Sequence, residues 1–132
     1  MTVIAPALAA AILMPPTVGP AFALDAAIVK GLLELDMGAR LEQRCDYEAM
    51  LRIARDQKRF SPDRVVAGAM EAAKADGDVL SGDGAAFRSK GKWYGLSYVC
   101  KTSDDHMNVL DFDYRIGDLI PEDKWEEYGL WD

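Results

Sequence analysis

Asp111 and Asp113 stand two residues apart, a spacing that places both carboxylates on one face of a β-strand. Paired carboxylates are the catalytic groups of most glycoside hydrolases. His106 is the single histidine, and any acid–base mechanism that needs an imidazole must use it. The alternation over residues 107–116 directs both aspartates toward solvent beside Arg115, and His106 falls in a predicted exposed turn. We therefore interpret all three as surface groups and predict no catalytic residue.

Two other segments have the beginnings of ligand-binding motifs. Asp76-Gly77-Asp78 opens like a calcium-binding loop, but Leu80, Ser81 and Phe87 stand where that loop needs a ligand, a glycine and a bidentate glutamate. Gly82-Asp83-Gly84 lacks the lysine and the strand–loop–helix context of a phosphate loop. The sequence thus predicts no metal ion and no cofactor.

The chain contains two cysteines, Cys45 and Cys100. Their separation of 55 residues rules out a C-x-x-C redox motif. Two cysteines in an oxidising compartment usually pair. We predict a Cys45–Cys100 disulfide, which in the chain-entropy model stabilises the fold by about 4 kcal/mol.

Residues 1–23 have the pattern of a secretory signal peptide. An apolar run, Val3 to Met14, precedes a proline-rich stretch that ends in Ala21-Phe22-Ala23, where Ala21 and Ala23 satisfy the small-x-small cleavage rule. A membrane-spanning helix needs about 20 apolar residues, and prolines interrupt this run. A disordered tail is the alternative. We expect cleavage after Ala23 and one mature domain, residues 24–132, in the periplasm or outside the cell.

The chain has a net charge of −7, and all of its charged side chains lie from Asp25 onward. An acidic surface disfavours nucleic acids and anionic membranes as partners, because both attract basic patches. It is compatible with a cationic partner, and also with a surface charge that serves solubility alone.

The first half of the chain has apolar residues at helical spacing and aspartates at cap positions. The apolar stripe changes sides near Cys45, which predicts a break between a second and a third helix. Ser61-Pro62-Asp63 has the composition of a helix start. The first predicted helix runs from Asp25 to about Glu34 and the second from Asp36 to about Cys45. A third begins at Asp46, and a fourth runs from Ser61 to about Asp76.

The second half alternates with the period of β-strands. The predicted strands are 85–89, 92–101 and 107–116. Residues Tyr94, Leu96, Tyr98, Cys100, Leu110, Phe112, Tyr114 and Ile116 are expected to face the core. A short helix from Ile120 should end the chain, with its aromatic residues packed as a lid. The predicted fold class is α+β: several short helices packed on a three-stranded antiparallel β-meander, with a short C-terminal helix and one helix-to-sheet disulfide.

The outward face of this meander is the candidate partner surface. A tryptophan among charged side chains is typical of protein interfaces. The alternative is that another element covers Trp93. The predicted surface comprises Arg88, Trp93, Ser97, Lys101, Asp111, Asp113 and Arg115.

Several short segments together resemble a known family. They include Leu41-Glu42-Gln43-Arg44-Cys45-Asp46, Pro62-Asp63-Arg64-Val65-Val66-Ala67, Gly84-Ala85-Ala86-Phe87-Arg88-Ser89 and Tyr114-Arg115-Ile116-Gly117. As a set they are similar to an uncharacterised family of alphaproteobacterial envelope proteins, domain-of-unknown-function family 930, over about residues 36–131. The resemblance implies a bacterial source and a periplasmic or secreted location. It implies no activity.

Three functions agree with these observations. The first is a non-enzymatic binding or structural module of the cell envelope, whose partner is an envelope protein or a cell-wall component. The second is an inhibitor of a cationic cell-wall hydrolase of the lysozyme type. The third is a small hydrolase that uses Asp111, Asp113 or His106. Oligomeric state is not predicted.

Overall fold

The computed structural model describes residue 2 and residues 24–132, so the predicted signal peptide lies almost wholly outside the described residues. Over residues 24–132 the fold is α+β, as predicted, with two α-helices and a five-stranded antiparallel sheet. In this described part, no helix is long and apolar enough to cross a membrane. The elements are α1 Ala26–Leu33, α2 Met37–Asp56, β1 Pro62–Val66, β2 Lys74–Asp76, β3 Val79–Ser89, β4 Lys92–Thr102, β5 Val109–Leu119 and a 3-10 helix Glu122–Lys124.

Of the four predicted helix starts, those at Asp25 and Asp36 are confirmed. The Asp25 carboxylate accepts a hydrogen bond of 2.8 Å from the amide of Ala27 and starts α1. The Asp36 carboxylate accepts one of 2.9 Å from the amide of Ala39 and starts α2. Each carboxylate satisfies an amide that the first helical turn leaves without a partner.

The predicted break between Cys45 and Asp46 is wrong, because α2 runs unbroken from Met37 to Asp56. Its buried stripe repeats every four residues through Leu41, Cys45, Ala49 and Ile53. That spacing keeps one face on the sheet for the whole helix. Asp46 caps no helix, and its side chain lies in the interior.

The helix predicted from Ser61 is also wrong. Pro62–Val66 forms β1 instead, where Val65 lies opposite Phe87 and Val66 opposite Ala86. Proline at the first residue of an edge strand costs no ladder bond, and β-branched valines favour a strand. Lys74–Asp76 forms β2, which pairs with the start of β3. The predicted three-stranded sheet therefore has five strands, in the order β1–β3–β4–β5 with β2 beside β3.

The predicted meander corresponds to β3, β4 and β5, but two of the three register shifts in their pairing change its details. A register shift between Gly82 and Ala85 lets β3 begin at Val79, earlier than expected. Gly84 is needed there, because a Cβ on it would lie 2.5 Å from the backbone nitrogen of Glu71. A second shift, between Lys101 and Thr102, turns Leu110 outward, so that 63% of it is exposed.

The inner core lies between α2 and the sheet, and the predicted Cys45–Cys100 disulfide crosses it. The two Cα atoms are 6.0 Å apart, which joins the middle of α2 to the central strand. The buried residues of this core include Leu41, Ala49, Ile53, Phe60, Phe87, Leu96, Tyr98 and Phe112.

A second core lies on the opposite face of the sheet, where residues 120–132, here called the C-terminal segment, pack on Trp93. The aromatic lid is confirmed, but its helix is only the 3-10 turn Glu122–Lys124. The lid is closed by Ile120 and Leu130, both buried, and Trp125 donates its indole N–H to the Ile120 carbonyl at 3.1 Å.

Candidate functional site

Trp93 lies on the outward face of the sheet but is completely buried there, so it is not an exposed interface residue. Its indole N–H donates a hydrogen bond of 2.7 Å to the carbonyl of Trp131, and the two rings are 5.4 Å apart in an edge-to-face arrangement. The predicted exposure is wrong, because the C-terminal segment covers this end of the face. The alternative left open by the sequence, that another element covers Trp93, is the one observed.

Arg88 stands beside Trp93, with its guanidinium carbon 5.9 Å from the centre of the indole ring. It forms a two-bond ion pair with Asp63 on β1, at 3.0 and 2.9 Å. This contact holds Arg88 at the covered end of the face. It thus separates Arg88 from the rest of the predicted surface.

The other five predicted residues lie together on the uncovered half of the face. In the ladder between β4 and β5, Ser97 lies opposite Arg115 and Lys101 lies opposite Asp111. Asp113 lies opposite Val99, which is 48% exposed. We call this region the charged strip. It comprises Ser97, Val99, Lys101, Asp111, Asp113 and Arg115.

A groove of about 490 Å³ lies between the charged strip and the C-terminal segment. We call it the outer groove. Gly95 and Gly117 lie at its floor, where a Cβ on Gly117 would come within 3.4 Å of the Gly95 backbone. Side chains at either position would fill this floor. The walls include Met70, Leu119 and Tyr128, and 52% of Leu119 is exposed.

His106 is not the exposed turn residue that the sequence predicts, because it is buried. Its Nδ1 lies 2.7 Å from the carbonyl oxygen of Met37, and its Nε2 lies 3.0 Å from Asp78 Oδ1. A carbonyl oxygen can only accept, so Nδ1 carries a proton. When Nε2 carries a proton in addition to Nδ1, it donates a hydrogen bond to the Asp78 carboxylate. These bonds tie the loop after β4 to the start of α2 and to the β2–β3 turn.

A second cavity, of about 340 Å³, lies between α1, α2 and β1. We call it the helix pocket. Asp46 lines it and is 7% exposed, and its Oδ1 accepts a hydrogen bond of 2.8 Å from the hydroxyl of Tyr98. Burial raises the pKa of Asp46 to about 7, partly opposed by the hydrogen bond from Tyr98 and reinforced by the charge of Glu42. Burial likewise raises the pKa of Tyr98, so its hydroxyl stays protonated and acts as the donor.

The sequence analysis assigned Asp46 to a helix cap and so missed its burial. A signal was nevertheless present. Asp46 follows Cys45, and Tyr98 precedes Cys100 by two residues on the same strand face. A disulfide that joins helix to sheet therefore brings the carboxylate and the phenol together as well.

Over residues 24–132, no group of three or more histidine, cysteine or acidic side chains lies close enough to hold a metal ion. Asp111 and Asp113 are both exposed on β5, facing Lys101 and Val99 across the ladder. Neither aspartate lines the outer groove or the helix pocket.

Comparison with known proteins identifies a family for this chain. The model of the family described as Domain of Unknown Function (DUF930) matches residues 32–130, which include α2, all five strands and most of the C-terminal segment. No curated protein and no solved structure matches the chain. Because the matched region covers most of the chain, including both cysteines of the disulfide, this protein belongs to the DUF930 family, which is defined by a domain of unknown function.

Proposed function

We propose that this protein is an exported, non-enzymatic binding module of the bacterial cell envelope, and that it binds a basic partner protein through the outer groove. The observation that carries the proposal is the groove itself. It exposes Met70 and Leu119 around a floor of two glycines, on a face where charged side chains surround it. An apolar recess with a polar rim is the usual form of a protein-binding hot spot.

The charge around the outer groove favours a basic partner. The C-terminal segment, residues 120–132, carries five acidic side chains and one lysine, and all six are exposed. That lysine, Lys124, lies 3.6 Å from Glu127 and is partly neutralised. Complementary charge speeds association with a cationic protein and discriminates against acidic ones.

Export is the second part of this proposal. It is supported by the pattern of residues 1–23 and by the disulfide, since disulfides persist mainly in oxidising compartments. Expression of the full chain in a Gram-negative host, followed by mass spectrometry of the periplasmic fraction, tests it. We expect an N-terminus at Leu24 and a mass two hydrogens below that of the reduced chain. An unprocessed protein that stays in the cytoplasm would contradict export.

The binding proposal is tested with a matched pair of surface variants. Leu119→Lys places a cation in the wall of the outer groove. Leu33→Lys makes the same change at a residue of similar exposure on α1, away from the sheet face. Proteins cross-linked in envelope extract are identified, and the affinity of each purified partner is then measured.

We expect a basic partner that binds the wild type and Leu33→Lys equally and binds Leu119→Lys at least tenfold more weakly. The affinity should also fall as salt is raised, because charge contributes to association. If the wild type, Leu119→Lys and Leu33→Lys bind the same partners, the outer groove is not the binding surface.

An inhibitor of a cationic cell-wall hydrolase is a narrower form of the same proposal. The acidic C-terminal segment beside an apolar recess favours it, since such hydrolases are basic. The test is lysis of cell walls by lysozyme with micromolar wild-type protein present. Full lysozyme activity under these conditions would remove this candidate and leave other basic partners open to the cross-linking experiment.

A further inference from the structure

We infer that the helix pocket binds an amphiphilic cation, whose ammonium group pairs with Asp46 while its apolar body lies against α1. This site is separate from the outer groove, because α1, α2 and β1 line it and the sheet lies between the two. The inference is therefore independent of the proposed partner surface.

The shape and lining of the helix pocket fit a small apolar ligand. A volume of about 340 Å³ lies within the range of small-molecule sites. The helices and β1 supply a mainly aliphatic wall, which would bury an alkyl chain. Its apolar members are Ala27, Ile28, Leu32, Leu35, Met50 and Val65.

The polar end of the pocket is defined by Asp46. Among the described residues no cationic side chain forms an ion pair with it, and its one hydrogen-bond partner is the neutral hydroxyl of Tyr98. A buried carboxylate with only a neutral donor is poorly stabilised. A ligand ammonium would supply the missing charge and form a charge-assisted hydrogen bond.

The other charged groups around the pocket leave this role to Asp46. Asp63 on β1 is already neutralised by Arg88, at 2.9 Å. Arg64, also on β1, is an exposed residue of the lining, and its guanidinium donates to the Asp63 carbonyl. On α2, Glu42 adds negative charge near Asp46. The remaining polar lining residues are Gln43 and Tyr47, and α1 contributes no charged lining residue.

Binding of a cation requires the ionised carboxylate, so it is linked to release of a proton from Asp46. Because burial raises the pKa of Asp46 to about 7, the free protein holds that proton at pH 5 and has lost it at pH 8. Affinity for the cation should therefore fall by about tenfold per pH unit below pH 7. A neutral ligand with the same alkyl chain should show no such dependence.

Gly31 provides a way to close the pocket without touching Asp46. It lies on α1 in the pocket lining, and a Cβ built on it meets no atom within 4 Å. The Cβ of a leucine at this position would therefore meet no other atom, and leucine would also favour the helix over glycine. Gly31→Leu should fold at least as well as the wild type and leave less room for a ligand.

The experiment is calorimetric titration of the full-length protein with n-hexylammonium and, as the neutral control, n-hexanol. Each titration is run at pH 5 and pH 8 on the wild type, Asp46→Asn and Gly31→Leu. We expect hexylammonium to bind the wild type at pH 8 at least tenfold more tightly than hexanol, and much more weakly at pH 5. Asp46→Asn should remove that preference, and Gly31→Leu should abolish binding of both ligands.

Three results would overturn the inference. One is equal binding of hexanol and hexylammonium at pH 8, which makes the site merely apolar. Another is unchanged hexylammonium binding in Gly31→Leu, which places the ligand elsewhere and does not depend on the folding of Asp46→Asn. The third is the absence of wild-type binding at millimolar ligand.

Discussion

The hydroxyl of Tyr98 and the carboxyl of Asp46 are joined by a hydrogen bond of 2.8 Å in the interior, between β4 and α2. The Cys45–Cys100 disulfide joins the same two elements next to it. Because the covalent bond fixes the approach of helix to strand, the buried carboxyl is held against its donor. Burial between helix and sheet raises the pKa of Asp46 to about 7 in the folded protein, although the hydrogen bond from Tyr98 partly opposes this rise.

Stability should decrease as pH rises from about 4 to 7. The pKa of Asp46 is 3.8 in the unfolded chain and about 7 in the folded protein, because burial disfavours its charged form. Between these values the folded protein binds more protons than the unfolded chain, so deprotonation favours unfolding. The loss is about 4 kcal/mol for this group. Urea denaturation of the wild type and Asp46→Asn at pH 4 and pH 8 measures most of it.

The matched control for this titration is Asp113→Asn, which removes an exposed carboxylate on β5. The difference in unfolding free energy between the wild type and Asp113→Asn should stay nearly constant over the same pH range. If the difference in unfolding free energy between the wild type and Asp46→Asn is also constant over this pH range, Asp46 does not titrate near pH 7.

Loss of the disulfide should destabilise the protein by about 4 kcal/mol, since it closes a loop of 55 residues. The double variant Cys45→Ala, Cys100→Ala removes it without leaving a free thiol. Chemical denaturation of this variant, compared with the wild type with and without reductant, gives the value. If the reduced wild type is as stable as the oxidised protein, the disulfide contributes nothing to the free energy of unfolding.

The C-terminal segment should contribute to stability through Leu130. This side chain is 6% exposed and packs in the core around Trp93, so Leu130→Ala should cost about 2–4 kcal/mol. Glu127→Ala, in the same segment but exposed, should change stability by less than about 0.5 kcal/mol. Thermal denaturation of the two variants compares them. Equal melting temperatures would contradict the packing of the lid.

His106 should matter for stability in two separable ways. His106→Ala removes the bonds to Met37 and Asp78 and also leaves alanine at a φ of +59°, for a loss of about 2–4 kcal/mol. His106→Asn loses the ring bonds but keeps a residue that tolerates left-handed backbone, so it should unfold less readily than His106→Ala. Denaturation in urea ranks the two. The reverse order would show that backbone conformation is not part of the cost.

Much of the sheet follows from alternation, but its edge strands do not. Over residues 92–101 every second residue is apolar, and this alternation indicates a β-strand. Residues 61–66 contain a serine, a proline and two valines, which fit a helix start as well as an edge strand. This segment forms a strand and not a helix because β3 offers an unpaired edge to Val65 and Val66.

The candidate sites depend on contacts between distant parts of the chain, and sequence reasoning identified them incompletely. Ser97, Lys101, Asp111, Asp113 and Arg115 share a face because alternation places them there. Trp93 has the same alternation, but the C-terminal segment, 38 residues later at Trp131, covers it. Exposure depends on what packs above a residue, and a local pattern does not contain that information.

The sequence by itself determined the two helix caps, the central meander, the pairing of Cys45 with Cys100 and the presence of an aromatic lid. Each of these depends on local spacing, on short-range backbone chemistry or on the availability of a single thiol partner. Tertiary structure alone decided that Asp46 is a buried acid and that two glycines form the floor of a groove. Burial sets the pKa of a carboxyl, and burial arises only when α1, α2 and the sheet exclude water together.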